Sequence, residues 1–499
     1  MNAYRRTRMA LAPLSLALST MAMLSLAPTA ARAQSWEMAS GLPTQRDVHR
    51  GTREIRNCLN PGGVLSVGTT TPGGVNPNTN MLIERLTAGA GLVFRFQYDT
   101  GQQPEQAAQV TEFRDGTGFA VVGSLDPLNA AAPQSRFIVT KVDCNGQPLW
   151  RFSYGDTTEV NTGWDILQAG SGTAASGTAA GDLVALGRYH KPAAGGLPAV
   201  YRARIARTRV NGTPIWVRDY QTSIVGDFEL HAIAELVPVL PNATGDLVAV
   251  GRIGGEAAVL QVNGNTGAVV CTARMRGLGT AQYHDVVPVK TTAGTPEFIA
   301  VGETAAAGAA SQVYLSRFVP NCLLRVHTHW GATADREIGW GGDLTLTTTV
   351  AGVGAGVLLF GGEVNGNYNG AFSQDAFTHL ANPQTLLPLP GGLGKRYGTQ
   401  GALAEKALTL SSANNGAYFA GLSTTNWLAN GDPQHALTAR ASVNALKTNC
   451  AVDWQPPAIN LALASQTYGV TLITRSALQE PLPTRQFVQS QTLCCAVGP

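Results

Sequence analysis

An all-β fold built from a repeated antiparallel unit is what the sequence predicts, and three observations carry that prediction. A short apolar run ends in glycine seven times, at Gly68, Gly123, Gly187, Gly251, Gly302, Gly361 and Gly421, at intervals of 51 to 64 residues. After each glycine and a variable loop comes a run that alternates apolar with polar residues, such as RFIVTKVD from Arg136 or VYRARIAR from Val200, the rhythm of a half-buried strand. Asn145-Gly146, Asn211-Gly212 and Asn263-Gly264 then supply hairpin turns. Self-similarity at this period marks units that bury their apolar faces only against their neighbours. Four strands per repeat and seven repeats describe a seven-bladed β-propeller of four-stranded antiparallel blades.

The elements follow in chain order. Arg5, Arg6 and Arg8 precede an apolar stretch from Met9 to Ala27, and Ala31-Arg32-Ala33 offers the small residues of a cleavage site; this is the layout of a secretory signal peptide over residues 1–33, cleaved before Gln34. A secreted or periplasmic protein is expected. Residues 34–52 form an N-terminal extension, 53–476 the propeller and 477–499 a closing segment. Within a repeat, strands a to d read in turn: an opening strand such as WDILQAG or HDVVPVK, the glycine-terminated strand b, the alternating strand c, and a strand d that often carries aromatics, as in LVFRFQY, PLWRFSY, PIWVRDY and LLRVHTHW. Two further runs, REIRNCL at 53–59 and YGVTLITRS at 468–476, each read as a strand a able to complete blade 1. Beyond residue 33 no stretch approaches the ~20 continuous apolar residues of a membrane-spanning helix.

Composition narrows the partners. The chain has 35 basic and 32 acidic residues, and residues 1–33 hold four of the arginines and no acid, so the mature chain is nearly neutral. It has no basic excess of the kind nucleic-acid binding requires. Charged residues make up only 13% of the chain while glycine numbers 57, which suits many short strands joined by tight turns.

The wording of the repeat resembles a broad family of secreted bacterial propeller repeats, in which an apolar strand ends in glycine, the next strand runs to an Asp-x-x-Gly turn, a Trp-bearing strand follows, and Tyr-Gly precedes the next unit. FAVVG ending at Gly123, KVDCNGQPLW from Lys141 to Trp150, and Tyr154-Gly155 match it best. The resemblance covers roughly residues 60–475, except near 257–275 and 376–392, where the Trp and Tyr-Gly are lost. It implies a fold, since propellers carry many unrelated functions.

Seven cysteines in an exported chain leave at least one unpaired within the molecule. Cys144, Cys322 and Cys450 occupy corresponding c-to-d turns, and those on blades 2 and 5 are too far apart to join each other. Cys58 lies before the first repeat and Cys494 and Cys495 near the C-terminus, so a bond across the closing seam is one expectation; buried free thiols are the other.

Chemistry in a propeller is sought at the channel mouth formed by d-to-a and b-to-c loops. Residues following the strand-b glycine there are Arg188, Tyr189, Arg252 and Glu303, and openings of strand a supply Trp164, His231, His284 and Trp340. Arg188, Arg252, Glu303, Trp164 and Trp340 are the candidate ligand-binding residues. His231, His284 and Tyr189 are the candidate catalytic groups, suited to removing a proton beside a uronate carboxylate held by arginine. Glu303 and Asp285 are the acids that would compete for those arginines. Two readings stand: a binding scaffold for a glycan or protein, and a lyase-type polysaccharide-active enzyme. No nucleotide, haem or hydrolase motif is present, no cofactor is expected and no metal site is assigned. The Asn365-x-Asn367-x-Asn369 spacing mimics a calcium loop but lacks carboxylates. His327-x-His329 lies on an outer strand with no third ligand evident and reads as a surface pair.

Overall fold

The computed structural model describes the strands and most of their connecting turns between residues 36 and 389, and mainly the strand backbone from 394 to 496. Residues 1–35, including the expected signal peptide, and most b-to-c loops lie outside the described residues.

Every described strand belongs to an antiparallel sheet of a β-propeller. Six blades are each built from four consecutive strands. Blade 1 comprises Arg46–Glu54, Val64–Thr71, Asn80–Leu86 and Leu92–Asp99. Blade 2 runs Glu105–Glu112, Phe119–Leu125, Arg136–Val142, Pro148–Tyr154, and blade 3 Val160–Gln168, Leu183–Lys191, Val200–Thr208, Pro214–Gln221. Blade 4 holds Phe228–Glu235, Leu247–Ile253, Glu256–Val262 and Val269–Arg276. Blade 5 holds Thr280–Lys290, Pro296–Ala305, Gln312–Val319 and Leu323–Trp330, and blade 6 Arg336–Thr345, Val357–Tyr368, Ala371–Ala381 and Gly394–Tyr397.

The expected ring of seven blades, each of four strands from one repeat, is overturned on two counts. Only six blades have that construction. The remaining sheet is composite: Glu405–Ser412, Ala417–Thr424 and His435–Ser442 are completed by Trp36–Ser40 from the N-terminal side, and its innermost strand lies against blade 1 on one side and blade 6 on the other. Residues 34–52, expected as an extension, thus supply a closing strand and most of strand a of blade 1.

The second correction is that every sheet has a fifth strand. After residue 450 the chain runs back around the ring in reverse order. Ala451–Trp454 pairs with strand d of blade 6, Ala458–Ile459 with blade 5, Ala464–Gln466 with blade 4, Thr471–Thr474 with blade 3, Ala477–Gln479 with blade 2 and Thr484–Phe487 with blade 1. Gln491–Ala496 ends it beside Trp36–Ser40. The run at 468–476 is therefore an outer strand of blade 3, where a closing strand a was expected.

The repeated glycine has a steric cause. Each strand a carries a bulge at one repeat position, which inserts Arg50, Ala108, Trp164, His231, His284, Trp340 and Leu408 in turn. The bulge drives a strand-a carbonyl into strand b. A Cβ on Gly68 would stand 1.8 Å from the Val48 oxygen, on Gly123 1.8 Å from Gln106, on Gly251 2.1 Å from Glu229 and on Gly302 2.0 Å from Gln282. Strand b continues past the glycine, as in Leu183–Lys191, so the residue marks a crowded crossing within it. In blade 6 the crowded position is Gly362, with the Ile338 oxygen 1.7 Å from such a Cβ, one place beyond the glycine that the apolar run singles out.

The core is a set of layers between neighbouring blades. Tyr283, Phe298, Tyr314 and Phe318 of blade 5, for example, pack on Val248, Val250, Val259 and Met275 of blade 4. Polar seals repeat at the c-to-d turns. Tyr98 donates to the Gly146 carbonyl at 2.5 Å and Tyr220 to Gly267 at 2.8 Å, while the indoles of Trp150 and Trp330 donate to Val210 and Leu386, both at 3.2 Å. From strand c, Arg85, Arg207 and Arg317 donate to Cys144, Gly264 and Gln384. Of the strand-d aromatics that the sequence displays, Tyr98, Trp150, Tyr220 and Trp330 are thus hydrogen-bonded to the next blade.

Two disulfides act at the same seams. Cys58 is bonded to Cys144, from blade 1 to blade 2, and Cys271 to Cys322, from blade 4 to blade 5. The expected bond from Cys58 to Cys494 or Cys495 is corrected by this pairing: the Cys144 turn faces the preceding blade, within reach of the a-to-b loop that holds Cys58. The side chains of Cys494 and Cys495 lie outside the description.

Candidate functional site at the mouth of blades 3 to 5

The bulges bring three aromatic side chains from successive blades together. The ring of Trp164 lies 5.4 Å from His231, and His231 stacks on His284 at 5.5 Å with planes 12° apart. His231 Nδ1 is 2.9 Å from the Tyr283 carbonyl, which requires a proton on that nitrogen. Burial first, and then the neighbouring His284, push the His231 pKa down to about 4, so its imidazole is neutral near pH 7.

Around this ladder stand the charged groups. Arg188 lies over the rings of Trp164, at 5.0 Å, and Tyr201, at 4.2 Å. Its guanidinium is bonded to Glu229, and Arg252 reaches the same carboxylate at 2.5 and 2.7 Å. Glu229 is almost fully buried, its side chain 2% exposed, between guanidinium groups that are 24% and 37% exposed. Burial raises its pKa, but the two arginines more than reverse that and hold it below the ordinary range. Asp227 stands 3.8 Å from Arg252. On blade 5, Glu303 faces His284 at 3.4 Å and accepts from Gln282 at 2.5 Å; these contacts outweigh burial and bring it down to about 2.

The expected cluster of Trp164, Arg188, Arg252, His231, His284 and Glu303 therefore does converge. Tyr189 does not join it. As the strand neighbour of Arg188 it points to the opposite face, where it is buried against the Arg204 guanidinium at 4.7 Å and its hydroxyl accepts from Gln221 at 2.7 Å. Burial raises its pKa to about 12, so it is no base at neutral pH. Trp340 holds the same bulge position on blade 6, but its side chain lies outside the described residues.

Sequence reasoning missed Glu229 and assigned its role to Glu303 or Asp285. Asp285 instead accepts the Val286 amide beside its own bulge at 2.7 Å. The overlooked signal is positional: Glu229 and Gln282 each stand two residues before the bulge histidine and face the post-glycine residue of strand b, Arg252 and Glu303 respectively. Asn365 and Asn367 lie within a strand, and among the described residues no group of three metal-ligating side chains is found.

No protein-family model matches the sequence, and comparison with curated proteins finds no match either. Several solved structures are similar in fold. A protein of unknown function from Dyadobacter fermentans is 11% identical over 81% of this chain and 97% of its own, with a TM-score of 0.37. The α-L-arabinofuranosidase Arb93A of Fusarium graminearum, bound to an iminosugar inhibitor, is 10% identical over 82% and 98% with a TM-score of 0.41. The propeller of Dos1 is 8% identical over 82% and 95% with a TM-score of 0.40. Among the described residues no helix is long and apolar enough to cross a membrane, and disulfides of this kind accord with an oxidising compartment such as the periplasm or the extracellular space.

Proposed function

We propose that the protein is an exported binding scaffold that engages a polar ligand, a glycan or a protein segment, at the mouth formed by blades 3 to 5. The observation that carries this reading is the shared carboxylate of Glu229, which fixes Arg188 and Arg252 in one orientation before any ligand arrives. Guanidinium groups held by a buried acid keep spare N–H donors while losing little side-chain freedom on binding. The adjacent Trp164, His231 and His284 rings supply flat apolar surface of the kind that packs on sugar faces or peptide side chains. Two features weigh against the lyase-type reading. Tyr189 is turned away with its proton firmly held, and the Glu229 carboxylate already offsets one of the two arginine charges on which a uronate would depend.

Calorimetry against a panel of neutral and acidic oligosaccharides, with ultraviolet detection of unsaturated uronates, tests the assignment. Saturable binding without turnover is expected, lost in the Arg188→Gln, Arg252→Gln double variant while the unfolding profile stays cooperative. Accumulation of unsaturated product by the wild type would overturn the scaffold reading in favour of the enzyme.

A further inference from the structure

Neighbouring blades are cut to different heights around Arg188, Glu229 and Arg252. Strand b of blade 4 ends at Ile253, just past its repeat glycine Gly251, and Gly254 and Gly255 alone turn it into strand c. On blade 3 strand b runs past Gly187 to Lys191 before residues 192–199 lead to strand c, and on blade 5 it runs past Gly302 to Ala305 before residues 306–311. The short turn is tied down by backbone: the Gly254 amide donates to the Asp227 carbonyl at 2.9 Å, and the Gly255 carbonyl accepts from Ala281 of blade 5 at 2.8 Å. Gly226 packs beside it, where a Cβ would stand 3.1 Å from the Gly254 Cα. Gly254, Gly255 and Gly226 all have positive φ, at 54°, 87° and 109°, so this rim is a floor of bare backbone that a ligand can approach closely.

The longer strand b of blade 3 forms a wall beside that floor. Arg188, bonded to Glu229 of blade 4, and His190 share one face of the strand because side chains two apart do. Tyr201 lies opposite His190 in register, with the two rings 4.9 Å apart, and both are half-buried. Tyr201 is held at two points: its amide donates to Asp227 Oδ1 at 3.0 Å, and its ring lies under the Arg188 guanidinium at 4.2 Å. The notch therefore has a glycine floor and an aromatic wall, and it leads inward to the two arginines.

Its charges balance among the described residues. Arg188, Arg202 and Arg252 stand with Asp227, Glu229 and Glu303, and Glu256 beside the turn is paired with Arg274 at 3.1 Å. Asp227 is 37% exposed and 3.8 Å from Arg252, so an incoming carboxylate would meet a like charge. Sugar hydroxyls both donate and accept, which suits guanidinium N–H groups and carboxylate oxygens set side by side. A peptide would instead need a free strand edge or pockets for alternate side chains, and a two-residue glycine turn offers neither.

Building on the binding role assigned to this site, we propose that it takes an internal stretch of a neutral linear polysaccharide. The chain crosses blade 4 over Gly226, Gly254 and Gly255, with one sugar ring against Tyr201 and another at Arg188 and Arg252. Asp227 is the residue that turns acidic chains away.

Calorimetry of the full chain with xylohexaose, mannohexaose, cellohexaose and hexagalacturonate tests this. At least one neutral hexasaccharide should bind about tenfold more tightly than hexagalacturonate and roughly a hundredfold more tightly than its own monosaccharide. Tyr201→Ala, at a half-buried position, should weaken that binding by about tenfold while unfolding stays cooperative. Asp227→Asn, which keeps an acceptor for the Tyr201 amide, should erase most of the preference over hexagalacturonate. Failure of all four to bind, preference of the parent for hexagalacturonate, or Tyr201→Ala binding as the parent does would overturn the track across blade 4. Cleavage of a bound neutral hexasaccharide would overturn the scaffold reading and leave the track standing.

Discussion

A single atom decides what each repeat glycine tolerates. At Gly123 a methyl group would stand 1.8 Å from a backbone carbonyl that the strand-a bulge fixes in place, and backbone cannot swing aside as a flexible side chain would. Gly89, in the c-to-d turn of blade 1, has nothing within 4 Å of the corresponding point. Gly123→Ala should therefore cost at least ~3 kcal/mol or prevent folding, whereas Gly89→Ala should stay within about 1 kcal/mol of the parent. Chemical denaturation of the two variants reads the contrast directly; equal stabilities would remove the steric account of the repeat. The same bulge sets the chemistry of the cluster, because the inserted residue is Trp164, His231 or His284 on three successive blades.

Neighbouring blades are joined at the c-to-d turns, which receive the tyrosine, tryptophan and arginine donors of the preceding blade. The disulfides reinforce two of these seams. In the chain-entropy account, the 51-residue separation of Cys271 and Cys322 is worth about 4 kcal/mol, an upper figure for an unstrained bond. Replacing both residues with serine should lower the unfolding temperature while leaving the strand content of the circular dichroism spectrum unchanged. Non-reducing peptide mapping should recover Cys58 with Cys144 and Cys271 with Cys322. Recovery of Cys58 linked to a C-terminal peptide would contradict the seam arrangement.

Across the whole molecule, buried histidines set the acid limit of stability. Burial lowers His231 and His379 from 6.5 to about 4. The unfolded chain therefore binds more protons than the native one between these values, and stability present above pH 6.5 is lost as pH falls toward 4. Asp165 runs the other way: burial raises it from 3.8 to about 6 against the amides of Ile166 and Ile233, so its contribution falls as pH rises through that window. His329 is lowered to about 4 in the same way as the other two histidines, so three histidines outweigh one aspartate, and the unfolding temperature should drop by several degrees on acidification from pH 6.5 to 4.5. His379→Gln should flatten that profile. An unfolding temperature that rises on acidification would show that the carboxylate dominates.

Local features were legible because they answer to local rules. Alternation of period two, hairpin turns at Asn-Gly and the spacing of crowded glycines fixed the strands and the propeller class without reference to any partner. Placing Arg188, Arg252, His231 and His284 at equivalent repeat positions sufficed to bring them into one cluster, since a repeat carries its geometry from blade to blade. What depended on distant segments was decided only in the folded chain. Glu229 shares its carboxylate between arginines on two blades, Tyr189 turns to the far side of its strand, and Cys58 finds Cys144 across a seam. The tail after residue 450 covers the outer edges in reverse order, burying His329. Nothing in a short tail strand such as Ala458–Ile459 specifies its partner, because two residues of backbone pairing carry almost no pattern; the open edge of strand d, with unsatisfied amides and carbonyls, is what selects it.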